Sequence, residues 1–351
     1  MKIQKIISIV TIVISLSFII YMCVMMGKGT GNNSSSGTAT PGPVLFSTPG
    51  TTTNTSTPLQ NTPSPVIQPS PTIAVTPTAV PSQSPVTAVP GGKISTNPNY
   101  AGKKIVSITF DDGPHGSYTP KILDMLKEKD IDVTFFIIGE NLYSASQKNI
   151  IKRALDEGHE LANHSYDHPN FKSLSAEEIA DQLQRTDNLI KEATGITPIL
   201  FRPPYGSYNQ FVSQQSGKAI ILWNIDSRDW DHISAKNVKN YAESNNISID
   251  EAKDILINEV LFEGFTYTSN GKEYTNPSIV SQLRHGSIIL FHDIHPYSGE
   301  AVSKLIDYIK QSGEYEILTV SEMIETEQAS PKAGDVYAYM WEAYATQKQN
   351  W

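Results

Sequence analysis

The 351-residue chain has a single cysteine, Cys23, which excludes an internal disulfide framework and any metal site built on several thiolates. A metal would have to be held by His, Asp or Glu. Histidine is missing from the first 114 residues. All eight lie at or after His115, so imidazole chemistry belongs to the later part of the chain. No basic stripe with interleaved aromatics is present and the formal net charge is -9, which leaves nucleic-acid binding without support. Acidity of this kind mostly favours solubility. Charge almost vanishes between residues 30 and 98, where Ser, Thr, Pro, Gly and Asn dominate. Such a stretch cannot bury enough apolar surface to offset its ordering entropy, which excludes a packed domain there.

Lys2 and Lys5 precede an uncharged apolar run over residues 6–26. At about 21 residues it is long enough, as a helix, to span roughly 30 Å of hydrocarbon. It ends without the small-x-small pattern of a cleavage site. The reading is an uncleaved signal-anchor with a cytoplasmic N-terminus, with a cleaved, secreted form as the alternative. Either places the rest outside the cytoplasm. The expected organisation is therefore an anchor over 1–28, a disordered linker over 29–99, a folded domain over 100–325 and an aromatic tail over 326–351. As a random coil the linker has an end-to-end distance on the order of 50 Å, and its prolines lengthen that.

The folded part alternates strand-like and helix-like runs. "KKIVSITF", "DVTFFIIG", "HELANH", "PILFRPP", "KAIILWNID", "GSIILFHD" and "YEILTV" read as strands. Between most of them lie amphipathic runs such as 175–195, which opens on a Ser175/Glu178 capping-box pattern and closes at Gly195. Alternating apolar strands and helices imply a parallel sheet covered on both faces. The expected fold is α/β, a distorted β/α barrel of about seven parallel strands, with an open doubly wound sheet as the alternative. Asp111, Asp112, His164, Arg202, Asp226 and His292 fall at or just past the C-terminal ends of these strands. In a barrel those ends share one mouth, where active sites sit.

Two of these groups raise a question about charge. Asp111 and Asp112 are adjacent, and two ionised carboxylates in one pocket are costly without a cation. His164 and His168 stand in an H-x-x-x-H spacing, a weak metal signal alone. A carboxylate from the aspartate pair would complete a His-His-Asp set with open positions. The other aspartate would then be available as a base.

"TFDDGP" (109–114), "HSYDH" (164–168), "RPPY" (202–205), "DSRDW" (226–230) and "LFH" (290–292) occur in this order. Together they resemble the five motifs of the polysaccharide deacetylase family, the carbohydrate esterases with a NodB-homology domain, over roughly residues 100–325. The resemblance implies a distorted β/α barrel and removal of acetyl groups from a polysaccharide. It implies that Asp112, His164 and His168 hold a divalent metal, usually zinc, with cobalt or another divalent ion able to substitute. It implies Asp111 as general base held by Arg202, the backbone N–H of Tyr205 as oxyanion donor, and His292 as general acid oriented by Asp229. Trp230, Leu290, Pro203 and Tyr205 would line the substrate pocket. Asp226 is expected to cap a turn, His295 to be structural or at the rim, and His115, His159, His232 and His285 to be ordinary.

With the anchor and tether, the expected substrate is N-acetylglucosamine of peptidoglycan, and the expected protein is a monomer. Chitin oligomers or acetylated xylan are the alternative substrates. A metal-containing wall-binding protein without turnover is the reading from another class. Two stretches depart from the family pattern. Residues 231–285 are longer than expected and read as a helix followed by a polar Gly/Asn/Tyr segment. In the tail, Tyr337, Trp341 and Tyr344 are spaced for one helical face.

Overall fold

The computed structural model describes residues 103–326 and 330–338. The anchor, the linker and the tail aromatics Trp341 and Tyr344 lie outside the described residues. Within these, no helix is long and apolar enough to cross a membrane.

Strand β1 (Lys104–Gly113) is the spine of the domain. Its apolar residues Ile105, Val106, Ile108 and Phe110 are all buried, as a strand covered on both faces requires. Around it stand β2 (Thr134–Ile137), β3 (Glu160–Asn163), β4 (Leu200–Phe201), β5 (Ala219–Ile221) and β6 (Ile225–Asp226). The antiparallel pair β7 (Phe265–Ser269) and β8 (Lys272–Asn276) stands apart from the main sheet. β9 (Ser287–His292), β10 (Tyr315–Ile317) and β11 (Val336–Tyr337) complete the set. The main sheet has nine strands in the order β11-β5-β4-β3-β2-β1-β9-β6, with β10 paired to the start of β1. Every pairing in it is parallel.

Strands β1 to β5 succeed one another across the sheet without reversal, as in a barrel. Between β5 and β6 lie only Leu222, Trp223 and Asn224. A parallel crossover needs a dozen or more residues, so β5 and β6 are two halves of one kinked strand. The first half pairs with β4 and the second with β9. Asn224 holds the kink: its N–H donates to Ile288 O (3.2 Å) and its Oδ1 accepts from Ile288 N (2.7 Å). The sheet therefore curls into a distorted, incompletely closed β/α barrel.

Helices α1 (Thr119–Lys129), α2 (Ala145–Asp156), α3 (Ala176–Thr194), α4 (Gln210–Ser216), α5 (Ala235–Asn245), α6 (Ile249–Asn258), α7 (Ile279–Gln282), α8 (Ser298–Ser312) and α9 (Val320–Glu325) alternate with or follow the strands. The Ser175/Glu178 capping box starts α3, and Gly195 ends it at φ 83°.

Three local expectations differ from the structure. "KAIILWNID" is split by the kink rather than continuous. Tyr337 lies in β11, not on a helix, because the edge of β5 has open backbone groups. Ile220 N and Leu222 N donate to Asp335 O and Tyr337 O, and this ladder overrides the local helical spacing. Residues 231–285 hold α5, α6 and the β7–β8 hairpin, where the composition predicts a polar segment without strands. Asn270 and Gly271 form its turn, at φ 51° and 72°.

Candidate active site

The C-terminal ends of β1, β3, β4, β6 and β9 bring their polar groups together. Asp112 Oδ1 lies 3.3 Å from His164 Nε2 and 3.4 Å from His168 Nε2. One ligand atom from each of the three residues lies within 4.8 Å of the others. His164 Nδ1 is 2.7 Å from Arg202 O. Donating there commits the Nδ1 proton and leaves Nε2 as a lone pair facing Asp112, the usual support for a ligating imidazole. Among the described residues Asp112 Oδ1 is buried with no hydrogen-bond partner. An orphaned carboxylate oxygen facing two imidazole nitrogens is the arrangement a divalent cation completes. The three residues therefore fit a metal.

The backbone here is unusual. Asp112 (φ 71°) and His168 (φ 61°) are both left-handed, as is Ser165 (φ 70°) between the histidines. This conformation is costly for non-glycine residues, and such strain clusters at functional sites. Asn141 steadies the turn by donating Nδ2–H to Asp112 O (2.7 Å). The Asn163 side chain accepts from Ser165 N (2.8 Å).

Burial alone would raise the Asp112 pKa, but His164, His292 and His168 outweigh it and hold it well below the carboxylate range. Burial would lower His164, yet the neighbouring Asp111 and Asp112 raise it. His168 is lowered by burial and by His164.

Asp111 is held differently from its neighbour. Its Oδ1 accepts from Arg202 Nη1 at 2.6 Å, and both side chains are buried. Arg202 is itself held in place: Nη1 also donates to Thr109 Oγ1 (2.8 Å), Nε to Ile221 O (3.1 Å) and Nη2 to Leu222 O (3.1 Å). Its guanidinium stacks on Phe136 at 3.9 Å. Asp111 Oδ2 faces the pocket, 3.6 Å from His164 Nε2.

His292 stands on the far side of Asp112, with Nε2 4.0 Å from Asp112 Oδ2. Its Nδ1 is 2.7 Å from Asp229 Oδ1, and its backbone N–H donates to Asp229 Oδ2 (2.8 Å). Ser298 Oγ donates to the same Oδ2 at 2.5 Å, and Trp230 N to Oδ1 at 3.0 Å. Burial would lower the His292 pKa, but Asp229 above all, with Asp112 and Asp111, raises it to about 10. Burial would raise Asp229, and His292 with Ser298 overcomes it.

The pocket residues are placed unevenly. Leu290 is buried two residues before His292 on the same strand, so it shares that strand's inward face. Pro203 is buried at the start of the turn that carries Tyr205. Tyr205 (φ 58°) is 70% exposed, and its ring sits edge-on to His168 at 4.6 Å. Trp230 is 44% exposed and packs on Arg228 at 4.7 Å. Asp226 accepts from Arg228 N (2.8 Å), capping the turn. His295 lies 5.8 Å from His292, ring to ring. His115 and His285 accept backbone N–H groups, from Ser117 and Ile105.

Sequence reasoning missed Thr109, Asn141, Asn163 and Ser298. Thr109 lies inside a motif and could have been found there. Asn141 and Ser298 act by long-range contacts that leave no local signal, and the contact of Asn163 to Ser165 N is a local Asx-type pattern that many loops share.

Residues 99–220 match the family model described as polysaccharide deacetylase. A solved structure described as "T48 deacetylase with substrate" is 30% identical, and the match covers 68% of this chain and 98% of that one at a TM-score of 0.51. The chain belongs to the polysaccharide deacetylase family. Peptidoglycan-N-acetylglucosamine deacetylase PgdA of Listeria monocytogenes is 30% identical over 244 residues. That match covers 70% of this chain but only 42% of the relative. Peptidoglycan-N-acetylglucosamine deacetylase of Bacillus cereus is 39% identical over 141 residues, 39% of this chain and 50% of that protein. The family model ends before Asp229 and His292, which the structure places beside the metal-type cluster.

Proposed function

We propose that this polysaccharide deacetylase family member hydrolyses N-acetyl groups on cell-wall glycan, with N-acetylglucosamine of peptidoglycan as its unit. One observation carries the reading. A carboxylate and an imidazole stand beside the Asp112–His164–His168 cluster: Asp111 Oδ2 lies 3.6 Å from His164 Nε2, and His292 Nε2 lies 4.0 Å from Asp112 Oδ2. Amide hydrolysis needs a base to draw a proton from water and an acid to give one to the departing nitrogen.

The residues divide these tasks. Asp111 keeps one oxygen on Arg202 and turns the other toward the pocket, where it can accept the proton of an incoming water. Arg202, with its own donors placed, fixes the orientation of that carboxylate. His292 holds its Nδ1 proton on Asp229 and presents Nε2–H to the pocket as acid. The N–H of Tyr205 is assigned to the oxyanion. Leu290, Pro203 and Trp230 are assigned to the acetyl methyl and the sugar. Zinc is the proposed ion on Asp112, His164 and His168, where it would polarise the acetyl carbonyl and acidify water.

The names of the Listeria and Bacillus relatives support peptidoglycan as substrate. So do the apolar run at 6–26 and the linker, which we infer hold the catalytic domain at the outer face of the cell membrane. The test compares acetate release by the zinc-loaded chain from peptidoglycan, chitin oligomers and acetylated xylan. Release from peptidoglycan supports the proposal, and release from xylan alone overturns its substrate.

A further inference from the structure

The two imidazoles of the Asp112–His164–His168 cluster are joined by residues 165–167, a loop shaped by side chains. The four successive N–H groups from Ser165 to His168 all donate to side-chain oxygens. Ser165 N donates to Asn163 Oδ1 (2.8 Å), Tyr166 N and Asp167 N to Gln182 Oε1 (2.8 and 3.2 Å), and His168 N to Ser165 Oγ (3.1 Å). Two of the loop's carbonyls are also taken: Gly139 N donates to Ser165 O (3.0 Å) and Glu140 N to Tyr166 O (2.9 Å). Ser165 and His168 hold left-handed φ, at 70° and 61°. Such a conformation persists only where its surroundings over-determine it.

Helix α3 supplies the restraint on the N–H side of the loop. Gln182 is buried on this helix, and its one carbonyl oxygen accepts both middle N–H groups. Its Nε2 donates to Asp167 Oδ1 at 2.8 Å, which fixes which way the amide points. Further along the helix, Leu183 O (2.9 Å) and Asp187 Oδ1 (2.8 Å) accept from Asn163 Nδ2. Lys218 Nζ holds the other Asp187 oxygen at 2.7 Å. The Asn163 oxygen is thereby aimed at Ser165 N. The Arg185 guanidinium lies over the Tyr166 ring at 3.4 Å. None of these helix groups belongs to the cluster itself. Their contacts bear on its spacing, because any ordering of the loop that binding had to supply would be subtracted from affinity.

We propose that Gln182 is a positioning residue for the metal site: by pinning Tyr166 and Asp167 it fixes the spacing of His164 and His168 in the metal-free chain. The inference rests on the zinc proposed for that cluster and adds what sets its affinity.

The test measures zinc dissociation constants of the full chain by competition with a chromophoric chelator, with melting temperatures of the metal-free proteins. Gln182→Leu keeps the bulk and removes the hydrogen bonds. It should weaken zinc binding about 10- to 100-fold, the scale of losing a supporting partner of a metal ligand. Gln182→Glu combined with Asp167→Asn reverses donor and acceptor in the pair without changing net charge. It keeps an oxygen for the two N–H groups and should hold zinc close to wild-type affinity. Ile190→Val, buried on the same helix about two turns further on, should lower the melting temperature and leave the zinc constant unchanged. In metal-free wild type the amide hydrogens of Tyr166 and Asp167 should already exchange slowly. Wild-type zinc affinity in Gln182→Leu would overturn the inference. So would loss of affinity in the reversed pair, an equal loss in Ile190→Val, or rapid exchange of the two amides in the metal-free chain. Should Gln182→Leu fail to fold, the reversed pair and the exchange rates decide. A wild-type chain that takes up no zinc overturns the metal assignment itself, and the exchange measurement, which uses no metal, keeps that failure separate from failure of the clamp.

Discussion

Replacing Asp229 by Asn tests the acid assignment most sharply. Asp229 is buried and takes four donors: His292 N and Nδ1, Ser298 Oγ and Trp230 N. The substitution keeps the shape and removes the charge. At an effective dielectric near 20, two unit charges about 4 Å apart interact by about 4 kcal/mol. That is about 3 pKa units. The His292 pKa, raised to about 10 against burial chiefly by Asp229, should therefore fall by about 3 units. A cation beside Asp112 lowers the value in both proteins and leaves the difference. The basic limb of the pH dependence of kcat/KM reports the acid, so it should move down by the same interval. Asn also turns an N–H₂ toward two of the four donors, costing roughly 1–3 kcal/mol of stability for each group left unpaired. The assay is acetate release across pH, with the His292 ring followed by NMR in the same samples. A basic limb and a His292 titration that stay where they were would refute the reasoning, whatever the loss of rate.

Three further outcomes are expected from the same geometry. Arg202→Met should destabilise the domain by about 3–5 kcal/mol, because it leaves Asp111 buried without its partner; denaturant titration reads this. Burial lowers the His159 pKa to about 4. Between that value and its unfolded value near 6.5 only the unfolded chain takes the proton, so its contribution is complete above about 6.5 and lost as pH falls toward 4, about 3 kcal/mol in all. His159→Phe should flatten that part of the stability–pH curve measured by urea melts. Gly113→Ala should cost stability and rate together, since a Cβ there would run into the Asp293 carboxylate; an alanine variant with wild-type melting temperature would contradict this.

The barrel is legible because its strands are continuous apolar runs that end in polar groups. "KIVSITF" before Asp111 and "SIILF" before His292 announce both the strand and the place where it opens to chemistry. The division between Asp111 and Asp112 is legible only through the resemblance. Adjacent carboxylates look alike in sequence, and what separates them is the left-handed turn at Asp112 and an arginine 91 positions away. The kink at 222–224 is hidden because Leu222 and Trp223 continue the apolar run while the pairing partner changes. The hairpin carries a legible sign, Asn270-Gly271 between β-prone residues, although its polar composition reads as a loop. Ser298 is not legible at all, since a serine at the start of a helix does not reveal the buried carboxylate it serves.

The central claim is that two neighbouring aspartates have separate tasks, one on a metal and one on water. Metal content and acetate release from peptidoglycan, measured on the same preparations of wild type, Asp111→Asn and Asp112→Asn, test it directly. About one zinc per chain is expected in wild type and in Asp111→Asn, with the rate of the latter reduced by at least about a hundredfold. Zinc should be lost together with activity in Asp112→Asn. Full activity in Asp111→Asn, or zinc retained at wild-type affinity in Asp112→Asn, would contradict it.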